Sequence, residues 1–391
     1  MINNVPTYIS LFSSAGVGCF GFKQANFECI ATNELETRRL NIQKINRKCR
    51  FETGYIQGDI QDYDTKQAIY SEIEKWKNLG NDRVDVVIAT PPCQGMSVAN
   101  HKKNDKDLSR NSLIVQSVLI VKDIQPRFFV FENVAAFWKT GCVNINNEIM
   151  SIGDMINSEL GDQFTIYQQV INFKNYGSFS SRTRTLVIGI DKKLGQFISP
   201  IELYPDFKEE IALQKVIGDM QSLDWGEYDK NDFFHSFRVY PEHMRTWIKD
   251  IKQGQSAFEQ IDPLKVPHQI KDGKRVVNAS KNGDKYTRQK WDSVAPCIHT
   301  RNDQLASQNT IHPIDDRVFS IRELMAMMSI PEEFQWLNKS LAELNALSID
   351  EKRKVSKKEE MNIRRSIGEA VPTVIFKQIA EKIKCFLSKK I

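Results

Sequence analysis

The stretch Tyr8-Ile9-Ser10-Leu11-Phe12-Ser13-Ser14-Ala15-Gly16-Val17-Gly18, with Gly21-Phe22 just beyond it, decides how this chain folds. An apolar run passes into a turn of small residues and then into a helical pattern. This is how a parallel strand hands over to its crossover helix. Such a turn lets a ligand approach backbone N–H groups at the positive end of a helix, where a carboxylate or phosphate is favoured. A Gly-x-Gly turn made only for tight packing has the same sequence, so the turn by itself leaves both readings open.

Outward from this turn, short β-branched or apolar runs recur at Cys29–Thr32, Val84–Ala89, Phe128–Phe131, Ile166–Ile171 and Thr185–Ile190. Between them, Ile69-Ile73-Trp76 and Ile114-Ser117-Val118-Val121 keep helical spacing. The alternation predicts an α/β, Rossmann-like sheet with helices on both faces over residues 1–190. After Ile190 the pattern is broken by Pro200, Pro205, Pro241, Pro263 and Pro267 and by Gly-Asp, Lys-Asn-Gly and Lys-Asp-Gly turns, which predicts a smaller, irregular domain over 191–312. Residues 313–391 resume helical periodicity. There Ser320 is a cap with Glu323 in the third position of a capping box, and Leu337 to Met361 reads as a charged helical surface insertion. Val371, Val374, Ile375, Ile379, Ile383 and Phe386 stripe a last helix opened by Pro372 in its first turn.

With 391 residues, two packed domains are expected; 41% hydrophobic and 26% charged residues are values of a folded globular chain. The formal charge of +5 permits a nucleic-acid partner without demanding one. Cations are concentrated between Lys271 and Lys290, where seven Lys or Arg face only Asp272 and Asp284; this is either a solvated loop or a cationic strip. Seven scattered cysteines with no Cys-x-x-Cys pair and no His at ligand spacing suggest neither disulfides nor a metal. The N-terminus lacks a secretory pattern and no apolar run approaches membrane length, so a cytoplasmic protein is expected.

The chemistry lies at the ends of the strands. Glu34, after the second strand, is suited to accept both hydroxyls of a ribose, and Asp59 in Gly58-Asp59-Ile60 follows the third. The fourth strand ends in Ala89-Thr90-Pro91-Pro92-Cys93-Gln94-Gly95-Met96-Ser97. Two prolines stiffen the backbone at a carboxyl edge and present Cys93 to the cleft, where a thiolate favoured by nearby cations or a helix N-terminus is a nucleophile. The fifth strand ends in Phe131-Glu132-Asn133-Val134, so a carboxylate emerges one strand along from Cys93. An acid closing an apolar strand is suited to proton donation; a helix cap or an ion pair accounts for it equally. In Ser181-Arg182-Thr183-Arg184, strand alternation aims Arg182 and Arg184 at one face, where two guanidiniums can hold a carbonyl oxygen and a phosphate.

Pro-Pro-Cys-Gln, Glu-Asn-Val and Arg-x-Arg in this order resemble the DNA (cytosine-5) methyltransferases, bacterial and of the restriction-modification type. The resemblance spans nearly the whole chain: Arg317 with Ser320-Ile321-Arg322-Glu323-Leu324 looks like the family's penultimate motif, and Ile367-Gly368-Glu369-Ala370-Val371-Pro372 like its last. The chain departs from the family's pattern at Ser10, Ser14 and Val17, at Ser180 or Ser181 before the Arg-x-Arg, and at Glu369.

The resemblance implies a methyltransferase sheet that uses S-adenosyl-L-methionine, with Phe12, Ser14, Gly16, Glu34, Asp59, Ile60, Pro92, Ala370 and Val371 at the cofactor. It implies that Cys93 attacks carbon 6 of a flipped-out cytosine, that Glu132 engages ring nitrogen 3 and the exocyclic amine, and that Arg184, with Arg182 beside it, holds the base oxygen. Residues 191–312 would be the target-recognition domain and 313–391 would return to the catalytic domain. Gln94, Ser97, Lys285, Arg288 and Arg301 would meet double-stranded DNA; the loop from Gln94 to about Arg110, with Lys102 and Lys103, would close over it. By family habit the partner is a functionally paired restriction endonuclease held in no stable complex, with the methylase a monomer. Two alternatives remain at this point: a transfer-RNA cytosine methyltransferase, and a non-catalytic DNA-binding scaffold. The long recognition segment favours DNA over the first, and Cys93 with Glu132 speaks against the second.

Overall fold

A computed structural model describes residues 5–92, 113–278 and 284–389. The chain forms two compact units, one of Met1–Tyr176, Thr183–Phe207 and Val371–Ile391, the other of Gly177–Arg182 and Lys208–Ala370. The first unit runs β1 (Thr7–Leu11), α1 (Val17–Gln24), β2 (Glu28–Glu34), α2 (Thr37–Ile45), β3 (Tyr55–Gln57), α3 (Tyr63–Asn78), β4 (Val86–Ala89), α4 (Leu113–Ile124), β5 (Phe128–Val134), β6 (Gly141–Val143), β7 (Ile149–Ser151), α5 (Ile152–Leu160), β8 (Phe164–Asn172) and β9 (Thr183–Asp191). The second holds α6 (Leu213–Ile217), α7 (His243–Ile248), β10 (His268–Lys271), β11 (Lys274–Val277), α8 (Ile321–Met327), α9 (Leu341–Asn345) and α10 (Ile349–Glu369). The last helix, α11 (Thr373–Ser388), belongs to the first unit.

Seven strands pair in the order β3-β2-β1-β4-β5-β9-β8. Neighbours from β3 to β5 are parallel, and β9 is antiparallel to both β5 and β8. The predicted α/β sheet is therefore present. Every residue of β1 and β4 is buried, as a parallel sheet covered on both faces requires. Because side chains alternate, Ile9, Leu11, Val87, Phe129 and Phe131 pack on one face with Ile69, Trp76, Val118 and Val121. Tyr8, Val86, Ile88, Phe128 and Val130 pack on the other with Phe22, Ile375, Phe376, Ile379 and Ile383. The stripe read in the last helix is thus core, and α11 covers one face of the sheet.

The strands run further than their apolar runs. β2 continues to Glu34 and β5 to Val134 because Asn33, Glu34, Glu132 and Asn133 keep pairing with neighbouring strands. The carboxyl edge is therefore polar but still hydrogen-bonded, which fixes its side chains on a rigid element.

Unit 2 has few regular elements and is held by buried charge. The Ser320/Glu323 capping box opens α8 as predicted. Glu323 also takes Nη1 and Nη2 of Arg317 at 2.8 Å each, and Asp315 takes Nε of Arg317 at 2.9 Å. Among the described residues no helix is long and apolar enough to cross a membrane.

Candidate active site

The turn after β1 holds three residues in the left-handed region: Phe12 (φ 55°), Ser14 (φ 47°) and Gly16 (φ 78°). Two of them are not glycine, so something must hold them there. A buried polar network does so. Ser10 Oγ lies 2.6 Å from Ser13 Oγ, which is 2.7 Å from Thr32 Oγ1. Thr32 donates to Gln43 Oε1 at 2.7 Å, and Gln43 Nε2 donates to the Ser14 carbonyl at 2.6 Å. Lys48 Nζ donates to Thr32 Oγ1 at 2.8 Å from the same side. Of the serines that depart from the family pattern, Ser10 is thus tied to α2 through Ser13 and Thr32, and Ser14 directly through Gln43. Sequence reasoning missed Gln43 and Lys48; only their burial, at 1% and 8% exposure, marks them.

The glycines divide their work. Gly16 supplies a positive φ, whereas a Cβ at Gly21 would lie 2.5 Å from both Lys377 N and Thr373 O of α11. Gly18 faces Phe376 and Val371. The packing reading of the Gly-x-Gly stretch therefore holds at Gly18, while Gly16 serves the shape of the turn itself.

Glu34 stands 6% exposed beside this turn and accepts from Ser14 N at 2.6 Å and from Glu36 N at 3.1 Å. A carboxylate can accept about four hydrogen bonds, so capacity remains on both oxygens. Next to it Leu35 is 62% exposed, an apolar side chain the sequence reading passed over. Across β3, Asp59 is half-buried and Ile60 buried, with Gly58 N donating to the Glu34 carbonyl at 3.3 Å. Half-buried Phe12 completes the set. An anchored acid with spare acceptors, an exposed aliphatic side chain and an aromatic one suit a ligand with a sugar diol and a flat base. At the end of unit 1's last crossing, Val371 is buried against Gly18, while Ala370, also buried, ends the second unit.

On the next edge, Glu132 is 5% exposed and, among the described residues, its Oε1 has no hydrogen-bond donor, although Arg184 Nε stands 3.2 Å away as an ion-pair partner. β5 and β9 pair with Val134 opposite Arg184, which puts Glu132 and Arg184 diagonally on one face. Asn133 Nδ2 donates to the Pro91 carbonyl at 2.9 Å and so ties the Pro91-Pro92 segment to the strand that carries Glu132. Pro92 is exposed. Cys93, Gln94 and Ser97, with Lys102, Lys103 and the rest of the expected loop, lie outside the described residues.

Arg182 and Arg184 do not share a role. β9 begins at Thr183, so strand alternation does not extend back to Arg182. Arg182 is 4% exposed in the second unit, donating through Nη1 to the Gly368 carbonyl at 3.1 Å and through Nη2 to the Glu369 carbonyl at 3.3 Å. Arg184 is the one that meets Glu132.

Of the cations expected at DNA, Arg288 is 4% exposed. Its guanidinium donates to the carbonyls of Ile248, Ile251, His312, Ile314 and Asp315 and to the Asp316 carboxylate, at 2.6 to 3.0 Å. Every N–H of the group is occupied, which gives Arg288 an internal, scaffolding role. Lys285 is half-buried. Arg301 is exposed and pairs with Asp303 at 3.3 Å.

The family profile described as C-5 cytosine-specific DNA methylase matches residues 7–385. The chain is 28% identical over 389 residues to the type II methyltransferase M1.HgaI of Avibacterium volantium, covering 96% of this chain and 97% of that one. It is 26% identical to the type II methyltransferase M1.HphI of Haemophilus parahaemolyticus, covering 96% and 86%. The structure of the Entamoeba histolytica methyltransferase EhMeth superposes with a TM-score of 0.57 at 14% identity, covering 99% of this chain and 100% of that one, a likeness of fold. With motif residues standing on the strand ends that such a sheet supplies and a family profile spanning both units, the chain belongs to the C-5 cytosine-specific DNA methylases, the DNA cytosine-5 methyltransferases.

Proposed function

We propose that this enzyme moves a methyl group from S-adenosyl-L-methionine to carbon 5 of a cytosine flipped out of a specific double-stranded DNA sequence, through a covalent bond between Cys93 and carbon 6. The observation that carries the reading is the Glu132 carboxylate: nine-tenths buried on a rigid strand, with one oxygen that lacks a hydrogen-bond donor among the described residues and the neighbouring Asn133 tied to Pro91. Arg184 Nε at 3.2 Å balances the charge of that oxygen without hydrogen-bonding to it, which leaves its acceptor capacity for a bound N–H group.

The Cys93 thiolate adds to carbon 6, its electron pair making the new C–S bond while the ring electrons move toward carbon 5. Glu132 holds the proton at ring nitrogen 3 and accepts from the exocyclic amine, so that the ring accepts this charge as a neutral enamine. Arg184 keeps Glu132 oriented through their ion pair and can reach the base oxygen. S-adenosyl-L-methionine, when bound, would supply an electrophilic methyl on a sulfonium to the electron-rich carbon 5, its sulfur leaving as a neutral thioether. Loss of the carbon 5 proton to a base then restores the double bond and expels Cys93. Glu34 and Asp59 would hold the ribose side of the cofactor, Leu35 and Ile60 would flank its base, and Phe12, Ser14, Gly16, Pro92, Ala370 and Val371 would shape the rest of the pocket. Since carbon 6 is hidden inside a duplex, the base must leave the stack.

The names of the relatives M1.HgaI and M1.HphI, type II methyltransferases, support a role as the methylase of a type II restriction-modification system. The proposal extends to a functionally paired endonuclease outside any stable complex and to a monomeric, cytoplasmic methylase. The test is transfer of labelled methyl from S-adenosylmethionine into mixed-sequence duplex DNA, with transfer RNA and the Cys93→Ala protein run beside it. Label recovered as 5-methylcytosine in DNA, and only with Cys93 present, is expected. Label in RNA alone, or transfer surviving Cys93→Ala, overturns the reading.

A further inference from the structure

The cationic strip read from the sequence resolves into one unusual element. Strands β10 and β11 form a two-stranded sheet of their own, pairing His268 with Val277, Gln269 with Val276, Ile270 with Arg275 and Lys271 with Lys274. Asp272 (φ 50°) and Gly273 (φ 71°) make a tight turn of the kind that matches strand twist. Past His268, every residue of both strands is exposed, including Ile270 at 66%, Val276 at 44% and Val277 at 53%. A free-standing hairpin of two strands is marginal in water, because neither face buries anything.

Its root, by contrast, is fixed. Asn278 N donates to the Pro267 carbonyl at 2.9 Å, the His268 ring packs 5.7 Å from buried Trp247, and Trp247 stands edge-on to Tyr286 at 5.9 Å. The second unit therefore holds a short ribbon out into solvent from an aromatic anchor.

The side chains on the ribbon work against its own stability. Lys271 and Lys274 sit directly opposite each other, a like-charge pair that destabilises a hairpin. Among the described residues neither they nor Arg275 has an ion-pair partner, and the turn adds only Asp272. A repulsive pair at the tip of a rooted, uncovered ribbon makes physical sense against a polyanion. Strand alternation puts Gln269 and Val276 on the same face as that lysine pair. A Gln amide matches the N6 and N7 edge of adenine, and a Val side chain matches a thymine methyl. With strands about 4.8 Å apart, the ribbon is narrow enough for a major groove about 12 Å wide.

We infer that the β10–β11 hairpin enters the major groove of the recognised DNA sequence, with Gln269 and Val276 reading an A·T pair and Lys271 and Lys274 contacting the flanking phosphates. This rests on double-stranded DNA being the substrate, and it assigns sequence choice to Gln269 and Val276 and backbone contact to Lys271 and Lys274, none of which the family motifs include.

The experiment selects bound duplexes from a randomised pool and separately sequences the positions methylated, for the unaltered protein, for Gln269→Ala and for Lys271→Ala/Lys274→Ala. Gln269→Ala is expected to relax base preference at one position by roughly tenfold or more, in binding and in methylation alike. The double variant is expected to bind all sequences more weakly, with the slope of log affinity against log salt reduced by about 2. All substituted side chains are exposed, and an unchanged melting temperature confirms that the fold survives. An unchanged base preference in Gln269→Ala, or an unchanged salt slope in the double variant, overturns the inference; so does a hairpin-dependent dimer in solution, which would assign the ribbon to a second copy of the chain. Selective binding with no methyl transfer would instead overturn the proposed reaction and leave the hairpin's role standing.

Discussion

Three charged residues, each buried, show how differently burial can be used at the scale of one side chain. Glu132 keeps an oxygen without a donor beside Arg184, whereas Arg288 and Glu323 spend their hydrogen-bonding capacity inside the second unit. Glu132→Gln keeps the shape and removes the charge. Methyl transfer is expected to slow by roughly 10²–10⁴-fold, with little change in stability, since the ion pair with Arg184 is one contact at the edge of a sheet. Full activity in that variant would reduce Glu132 to a structural partner of Arg184. Arg288→Ala is expected to destabilise the protein by about 3–5 kcal/mol in urea unfolding, because five carbonyls and the Asp316 carboxylate lose their donor. Lys285→Ala, at a half-buried site, is expected to leave stability nearly unchanged and to lower the salt dependence of DNA binding. Equal destabilisation by the two substitutions would remove the distinction. The sequence made the residue types at Pro92-Cys93-Gln94 and Glu132 legible because chemistry restricts what can stand there. It could not separate Arg288 from Lys285, since nothing in a string of residues reveals which carbonyls will converge on a guanidinium.

At the scale of elements, the contact between α1 and α11 sets how closely the last helix can approach the sheet. A Cβ at Gly21 would meet backbone atoms of α11 at 2.5 Å, which cannot move without moving the helix; at Gly18 it would meet Phe376 and Val371 at 3.1 Å, which can shift slightly. Gly21→Ala is therefore expected to lower the melting temperature clearly more than Gly18→Ala, by an amount corresponding to about 1–3 kcal/mol. Cofactor affinity should fall with it, because Gly18 and Val371 lie in the same contact as the turn that precedes α1. The reverse order of the two variants would mean that α11 is not held by this contact. Ligand approach and helix approach both ask for a missing Cβ, which is why the Gly-x-Gly stretch reads alike for both in the sequence. Six strands of the sheet were legible from apolar runs, whereas β3, three residues long, is too short to show one. The sheet's polar extensions through Asn33-Glu34 and Glu132-Asn133 were not legible, because their pairing depends on neighbouring strands rather than on the residues themselves.

Across the whole molecule the chain passes between the two units four times, after Tyr176, Arg182, Phe207 and Ala370. Proline and turn signals mark where the regular pattern stops, but an excursion as short as Gly177–Arg182 carries no periodicity to read. Since unit 2 has little regular structure, its stability leans on the buried cluster of His312, Asp315, Arg317 and Glu323, and this makes folding sensitive to acid. Burial, opposed by Glu323 and helped by Arg317, brings the His312 imidazole down from 6.5 to about 4. Burial pushes the Glu323 carboxyl up, but the charge and hydrogen bonds of Arg317 outweigh it and hold the group at about 2 rather than 4.5. In both cases the unfolded chain binds a proton at a higher pH than the folded one, so stability falls as pH falls. The His312 contribution is lost between about pH 6.5 and 4, and the Glu323 contribution below about 4.5. For His312 the full loss amounts to about 3 kcal/mol. Urea unfolding followed from pH 7 to pH 4 is therefore expected to show a falling midpoint, and in His312→Gln a flatter decline from a lower starting value, since glutamine takes up no proton. Parallel curves for the two proteins would remove His312 as the source of that sensitivity. A midpoint that stays level down to about pH 4.5 and falls only below it would assign all of the decline to the carboxylates.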